Sequence, residues 1–239
     1  MTLFIRLVLA HLAGDFLLQP DSWVKEKELK KYRSPKLYIH ALLHGLLAVL
    51  LVWDLSFAIP ALIIAVTHLV IDLAKASFQK PDRKATWFIA DQALHLLVLV
   101  LVWYAWKQPV FSVANLPVDR ILLVLTAVVF LTSPASSLIK TIISNWTPDT
   151  LYDVSTSLPD AGKIIGYLER LLVLTFILAN HWEAVGFLLA AKSVFRFGNL
   201  KESHDRKLTE YVLIGTFLSF GLAMGVALAV SAMMKIHVH

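Results

Sequence analysis

Residues 37–53 read LYIHALLHGLLAVLLVW, an apolar run without a single Asp, Glu, Lys or Arg. A helix that crosses a membrane needs about 20 mostly apolar residues, within a range of about 17–25. The run is therefore long enough and apolar enough to predict a transmembrane helix. Within it, His40 and His44 stand four residues apart, which places both side chains on one face of the helix.

The composition of the whole chain points in the same direction. The chain has 239 residues, of which 58% are hydrophobic and 16% are charged, and its mean hydropathy is +0.69. A typical soluble domain has about 45–50% apolar and about 25% charged residues. These values argue against a soluble globular enzyme and against a disordered chain. Cysteine is absent, which excludes disulfide bonds, thiolate catalysis and cysteine-ligated metals.

Further apolar runs occur along the whole sequence and predict an all-α, polytopic transmembrane helical bundle of about eight spans. The fifth run contains Ser133-Pro134 and is expected to break there, because proline interrupts a helix. We predict a four-helix membrane half at 1–106 and a second membrane half at 107–239, with a polar loop at 140–162. The eight predicted spans are 2–18, 37–53, 57–75, 86–106, 118–139, 163–181, 183–198 and 209–234.

Lysine and arginine are concentrated in the segments 20–36, 75–85 and 196–207. With eight spans, these segments fall on one side of the membrane, which the positive-inside rule assigns to the cytoplasm. Both termini are then outside. The net charge of +5 fits basic segments beside anionic lipid. No stretch combines basic and aromatic residues as a nucleic-acid surface does, so we expect no nucleic-acid partner.

Four of the predicted helices carry pairs of metal-binding residue types at a spacing of four residues. Each pair lies on one helix face, and the predicted topology puts all four in the cytoplasmic half of the membrane. Four helices with pairs at one depth can close a single polar site. The pairs are His11/Asp15, His40/His44, His68/Asp72 and Asp91/His95.

Ionisable groups inside a bilayer are costly and usually have a function. Imidazole and carboxylate ligands suit Zn, Fe or Mn, and the number of candidates allows one or two ions. Asp15 and Asp91 are candidate general bases, and Gln19 and Gln92 are candidate supporting donors. The alternative is that the pairs only form hydrogen bonds between helices or relay protons. The predicted metal ligands are His11, His40, His44, His68, Asp72 and His95.

A second polar group lies in the last three predicted spans. Arg170, Lys192 and Arg196 are candidates for binding the anionic group of a substrate, since arginine and lysine recognise phosphate and carboxylate. The alternative is that Glu169 and Glu210 neutralise them in ion pairs of purely architectural importance.

The motifs around these residues resemble a bacterial integral-membrane family catalogued as domain of unknown function 3307. The motifs are HLAGDFLLQ (11–19), HALLHG (40–45), THLVID (67–72) with Lys75, DQALH (91–95), GKIIGYLERLL (162–172) and AAKSVFRFG (190–198). The resemblance implies a multi-pass protein of the bacterial cytoplasmic membrane, and it implies no activity. The HxxxD pairs also resemble those of zinc transporters and of small bacterial membrane metal-dependent hydrolases.

These observations favour a metal-dependent enzyme of the hydrolase type that acts on a lipid or lipid-linked substrate from the cytoplasmic leaflet. The main alternative is a transporter or channel for a divalent metal or protons, which needs the same ligands. A transporter also needs a polar route through the outer half of the bilayer, and 45–53 and 96–106 contain no Asp, Glu, Lys, Arg or His. A structural subunit is the third alternative, and a homo-oligomer is compatible with all three.

Overall fold

The computed structural model describes residues 2–80, 83–107, 120–146, 161–197 and 206–235. Every element within these ranges is a helix, which confirms the all-α prediction. The α-helices are α1 (Thr2–Leu12), α2 (Asp21–Lys30), α3 (Pro35–Val52), α4 (Ala58–Phe78), α5 (Lys84–Lys107), α6 (Arg120–Leu131), α7 (Ser133–Ile143), α8 (Ala161–Leu178), α9 (Trp182–Phe197) and α10 (Arg206–Lys235). A π-helical turn (Ala13–Leu17) continues α1, and short 3₁₀ turns cover Lys31–Arg33, Leu55–Phe57 and Ser144–Trp146.

The helices confirm a membrane protein with several spans. Within the described ranges, five helical stretches are long and apolar enough to cross a membrane. A sixth is added if Thr2–Leu17 and Asp21–Arg33, which are bent by 83° to each other, form one broken span. The five stretches are Pro35–Val52, Leu55–Phe78, Lys84–Trp106, Arg120–Ile143 and Thr209–Met234.

The predicted count of eight spans depends on the two helices α8 and α9. Helix α9 has 16 residues, fewer than a span usually needs. Helix α8 has 18 residues but includes three charged ones, Lys163, Glu169 and Arg170. Neither is therefore apolar enough over a sufficient length to count as a span by composition alone.

The chain divides into two compact units, Met1–Val129 and Phe130–His239. In the first unit, α1 and α4 each contact both α3 and α5, so the four helices surround a common core. Helix α2 packs on α3 and α4. In the second unit, α10 contacts α7 and α8, and α8 contacts α9. The described part of the predicted loop 140–162 is the end of α7, the turn that follows it and the first two residues of α8, since residues 147–160 lie outside the description.

The predicted break in the fifth span is confirmed at Thr132, between α6 and α7. The backbone of Thr132 has φ −86° and ψ −113°, which is not helical. Pro134 stands in the first turn of α7, where its missing N–H costs no helical hydrogen bond. The break leaves carbonyl groups at the end of α6 that need other donors.

Apolar side chains fill one end of the four-helix core in the first unit. The cluster consists of Leu3, Leu7, Ala48, Phe57, Ala61, Ile64, Leu99, Val102 and Trp103, all of them buried. On the outside of the same helices, large apolar side chains such as Leu42, Ile59 and Leu101 are more than half exposed. Such a surface suits contact with lipid chains, because lipid imposes no penalty on exposed apolar groups.

Candidate metal centre

The four predicted pairs of metal-binding residues meet at one level of the four-helix core. Seven of the eight side chains belong to buried residues, and the side chain of Asp15 is 10% exposed. Their ligand atoms form three overlapping groups, and within each group all atoms lie within 4.8 Å of one another. The groups are His11, Asp15, His44 and His68; His40, His68 and Asp72; and Asp72, Asp91 and His95.

A π-helical turn places Asp15 among the imidazoles. The turn is closed by a hydrogen bond from the Leu18 amide to the Ala13 carbonyl oxygen, five residues earlier, at 2.9 Å. The Oδ1 atom of Asp15 lies 3.0 Å from His44 Nε2 and 3.1 Å from His40 Nε2. Single π-helical turns of this kind are frequent at functional sites.

Glycine is required beside Asp15 because the His44 ring comes close to the backbone. A Cβ atom at Gly14 would lie 2.5 Å from His44 Cε1 and 2.6 Å from His44 Nε2. Real Cβ atoms do not make contacts this short, so any larger residue would push the ring away. Gly14 therefore sets the position of one candidate ligand.

The imidazole rings are packed against one another. His68 Nε2 lies 3.1 Å from His40 Nε2, and the His68 ring stacks on those of His44 and His95 with centroids 3.7 and 3.9 Å apart. Two protonated rings would repel each other at such distances. The arrangement therefore suits neutral imidazole, which is the form that binds metals.

The opposite side of the cluster is acidic and is bounded by two lysines. Lys27 Nζ lies 2.5 Å from Asp72 Oδ2, and Lys75 Nζ lies 2.8 Å from Asp91 Oδ2. The other oxygen of each carboxylate, Oδ1, lies 3.5 Å from His95 Nε2. Each carboxylate thus directs one oxygen to a lysine and the other toward His95.

The spacing and the unmet hydrogen bonds of the cluster fit a metal ion. Ligand atoms about 2.0–2.1 Å from a tetrahedral ion are about 3.3–3.4 Å from each other, close to the 3.5 Å separations around His95. In the described part of the chain, Asp91 Oδ1 and His95 Nε2 are buried without a hydrogen-bond partner. Leaving such an atom unsatisfied costs about 1–3 kcal/mol, which a bound cation would offset.

The two predicted supporting donors, Gln92 and Gln19, have different surroundings in the structure. Gln92 was a predicted donor, and its Nε2 donates to Asp15 Oδ2 at 2.9 Å and to Asp91 Oδ2 at 3.3 Å. Gln19, the other predicted donor, has a buried Nε2 without a partner in the described residues.

The sequence does not predict the role of Lys27, which it presents only as one charge of the basic segment 20–36. In the structure Lys27 is buried. No periodicity within that basic segment distinguishes Lys27 from its neighbours.

A small cavity separates the cluster from the apolar end of the core. Its volume is about 10 Å³, close to the space that one water molecule needs. Imidazoles of His11, His44, His68 and His95 line one side. The other side is lined by Leu7, Ala10, Ala48, Ile64, Thr67, Val98 and Leu99.

The predicted substrate-binding residues belong to the second unit. Arg170 is buried, and its Nε donates to the Leu131 carbonyl oxygen at 2.6 Å. Its two Nη atoms donate to the Thr132 carbonyl oxygen and to the hydroxyls of Ser136 and Ser219. Arg170 thus supplies a donor to the Leu131 carbonyl oxygen at the helix break and a second donor to the Thr132 carbonyl oxygen, which also accepts from the Ser136 amide at 3.2 Å.

Lys192 forms an ion pair with Glu169, as the architectural alternative expects. The backbone of Arg196 belongs to α9, but its side chain lies outside the part of the chain that is described. An anion-binding role for Arg170, Lys192 and Arg196 stays a prediction. The ion pair of Lys192 fits the architectural alternative, whereas the printed hydrogen bonds of Arg170 go to neutral carbonyl and hydroxyl oxygens.

Comparison with known proteins gives one match. The sequence model of a family described as "Protein of unknown function (DUF3307)" matches residues 3–124, which is about half of the 239 residues. The matched range contains all eight residues of the cluster and ends before Arg170. No curated protein and no solved structure matches the chain.

Proposed function

Because the chain belongs to the DUF3307 family, whose description assigns no activity, we propose a function from the chemistry of the cluster. The protein is a multi-pass metalloprotein of the bacterial cytoplasmic membrane that holds a divalent ion, Zn, Fe or Mn. It is an enzyme of the hydrolase type that acts on a lipid or lipid-linked substrate at the cytoplasmic leaflet. The observation that carries the proposal is the convergence of eight buried or nearly buried metal-binding side chains on one point of the bundle.

The first ion is assigned to the group of His11, Asp15, His44 and His68. Their four ligand atoms come from three helices and lie within 4.8 Å of one another. Three imidazoles and one carboxylate suit Zn, and Fe or Mn also accept this set. With a fifth coordination position, such an ion would supply a Lewis acid and would lower the pKa of a bound water to about 7.

The remaining residues position this group and handle protons. Gln92 holds the second oxygen of Asp15 through its Nε2, which fixes the carboxylate while Oδ1 faces the imidazoles. In hydrolysis the water oxygen bonds to the acyl carbon or phosphorus, and the bond to the alcohol oxygen breaks. One water proton ends on that alcohol oxygen. Asp15 is enclosed by imidazoles and fits a ligand, whereas Asp91 Oδ1 is free either to carry this proton or to bind a cation.

The apolar end of the core supports an enzyme rather than a transporter. Leu7, Ala48, Ile64 and Leu99 lie directly beyond the histidines, and the cavity between them has room for about one water molecule. Arg6 donates to the Val52 carbonyl oxygen at the end of α3. An ion crossing this layer would lose its polar ligands in a low-dielectric region.

One observation favours transport as a second candidate function. The chain bends by 83° between Thr2–Leu17 and Asp21–Arg33, immediately after Asp15. Broken helices beside an ion site are typical of secondary transporters, where the break lets the backbone rearrange during access. The same break also gives a lipid-like substrate a way into the cluster from the side of α2.

Metal analysis of the purified full chain in detergent tests the proposal. We expect at least one equivalent of Zn, Fe or Mn in the wild type and loss of that equivalent in His44→Ala and in His68→Ala. His181→Ala is the matched control, because the His181 side chain is 64% exposed and pairs with Glu183. A wild-type protein without stoichiometric metal would overturn the proposal that the protein is a metalloprotein.

Proteoliposomes separate the two candidate functions. We expect no uptake of radioactive Zn²⁺ or Mn²⁺ above that of empty liposomes, and we expect release of polar products from bacterial membrane lipid supplied with the loaded protein. Uptake that disappears in His68→Ala, without any lipid hydrolysis, would select the transporter.

A further inference from the structure

We propose that Asp72, Asp91 and His95 form a second cation site, open on one side, whose ligand is a phosphate group held by Lys27 and Lys75. The inference rests on the proposed function, because the histidine-rich group is taken to hold the first ion. It adds a separate site with its own ligands and names the chemical class of the substrate.

Three ligand atoms define this second site. Asp72 Oδ1 and Asp91 Oδ1 each lie 3.5 Å from His95 Nε2, and the three residues form one of the groups whose atoms lie within 4.8 Å. Sites with three protein ligands leave a coordination position for water or substrate, whereas sites with four are usually closed and structural. The histidine-rich group offers four ligands, so an ion there binds water only with a fifth coordination position, and the second site is the more open of the two.

Two of the three cluster atoms that lack a hydrogen-bond partner in the described residues belong to this second site, and the third is His40 Nδ1. His95 and Asp91 are each 3% exposed, and His95 Nε2 and Asp91 Oδ1 have no hydrogen-bond partner in the described residues. At 3.5 Å the two atoms face each other across a gap that is too long for a good hydrogen bond. The lysines contact the Oδ2 atoms of the two carboxylates and therefore satisfy neither of these atoms.

The two groups of ligands are adjacent, as the sites of a two-ion centre must be. His68, from the first group, and His95, from the second, have stacked rings. Asp72 Oδ1 also lies 3.9 Å from His68 Nε2, so this carboxylate stands between the two groups.

The two lysines supply the contacts for an anion. Lys27 from α2 and Lys75 from α4 hold the outer oxygens of Asp72 and Asp91, so their ammonium groups flank the open site. Lys27 is buried, and the side chain of Lys75 is 28% exposed. An anion that enters from this side meets two positive charges next to the second ion.

Charge balance couples this anion to the second ion. With neutral imidazoles, three carboxylates and two ammonium groups give the cluster a net charge of minus one. Two divalent ions change the net charge to plus three, which is costly in a low-dielectric interior. A phosphate monoester carries close to two negative charges and restores most of the balance. The second ion and the phosphate group should therefore bind together, each raising the affinity for the other.

A Mn²⁺ titration of the metal-free full chain tests the inference, with free Mn²⁺ measured by electron paramagnetic resonance. We expect two binding events in the wild type. The weaker event should tighten about tenfold in the presence of inorganic phosphate, a typical size for coupling between sites. Asp91→Asn and His95→Gln should each abolish the weaker event and keep the tighter one. His44→Ala should weaken the tighter one.

The role of the two lysines is tested by whether phosphate still raises the affinity of the weaker Mn²⁺ site when one of them is replaced. Lys27→Met and Lys75→Met should keep two Mn²⁺ binding events and lose the tightening by phosphate. Lys30→Met is the matched control, because Lys30 lies on the same helix as Lys27, is exposed and pairs with Glu26. A repeat with phosphatidic acid in the detergent micelle identifies the source of the phosphate. Tightening by inorganic phosphate indicates a soluble phosphate, and tightening by phosphatidic acid alone indicates a lipid headgroup.

The possible failures are distinguishable from failure of the proposed function. No Mn²⁺ binding in the wild type would overturn both proposals. A single binding event that requires His44 and is insensitive to Asp91→Asn would support the proposed metalloprotein and would overturn the proposal of a second cation site. The phosphate ligand would be ruled out if two Mn²⁺ binding events occurred and neither form of phosphate raised the affinity of the weaker one. It would also be ruled out if phosphate still raised that affinity in both lysine variants.

Discussion

Each of the two units buries a cluster of polar side chains, and the clusters differ in how their hydrogen-bonding groups are used. In the unit Phe130–His239, Arg170 donates to two carbonyl oxygens and two hydroxyls. In the unit Met1–Val129, buried atoms of Asp91 and His95 have no hydrogen-bond partner. A fully satisfied cluster stabilises the fold, whereas unsatisfied ligand atoms indicate a place for something that binds. The two buried polar clusters therefore differ in whether their own side chains and backbone satisfy them.

The largest expected effect is that of Arg170→Leu on stability. The substitution removes the Arg170 donors to the Leu131 carbonyl oxygen and to the hydroxyls of Ser136 and Ser219, at about 1–3 kcal/mol for each buried group left unsatisfied. We expect the thermal unfolding temperature in detergent to fall sharply, while the metal bound per folded molecule stays at the wild-type value. Lys163→Leu, an exposed position of the same helix, is the control. An unfolding temperature equal to that of the wild type would show that the second cluster is not architectural.

A smaller effect, confined to the metal, is expected from Gly14→Ala. The new Cβ would lie 2.5 Å from His44 Cε1 and would displace that ring from the histidine-rich group. We expect the affinity for Zn²⁺ to fall about 100-fold, the upper end of what disturbed ligand positioning costs. Competition with a chromophoric chelator measures it. Gly162→Ala is the matched control, because a Cβ there meets nothing within 4 Å, and an equal loss in both variants would contradict the prediction.

The smallest expected effect is that of Gln92→Leu. The substitution removes the hydrogen bond that holds Asp15 Oδ2 at 2.9 Å and the contacts of Gln92 with His11 Nε2 and Asp91 Oδ2, but it replaces no candidate ligand. Residues that support ligands in this way contribute about 10–100-fold in metal affinity, and we expect about 10-fold in the same chelator assay. Gln79→Leu is the control, since Gln79 donates only to the exposed Glu28. Unchanged affinity in Gln92→Leu would mean that the imidazoles alone orient Asp15.

The contrast between the two clusters could be predicted from the sequence only in part. The pairs such as His40/His44 were found because a spacing of four residues fixes a common helix face, whatever the helix packs against. The contacts of Arg170 depend on a break in another helix. Ser133-Pro134 predicts that break, but nothing near it in the sequence predicts that Arg170 contacts it. Lys27 reaches Asp72 across 45 positions in the sequence, and no local pattern encodes such a contact. Local geometry is therefore predictable here, and the choice of long-range partners is not.

The π-helical turn at Ala13–Leu17 makes the length of the chain at this point as important as its residue types. Removal of one residue from the turn would restore an ordinary α-helix and rotate everything that follows by about 100° around the helix axis. The apolar face of Thr2–Leu12 would keep its packing, so the shortened protein would still insert and fold around its core. Asp15 and the bend that leads into α2 would both leave their positions. A single-residue deletion here would therefore separate folding from metal binding without replacing any candidate ligand.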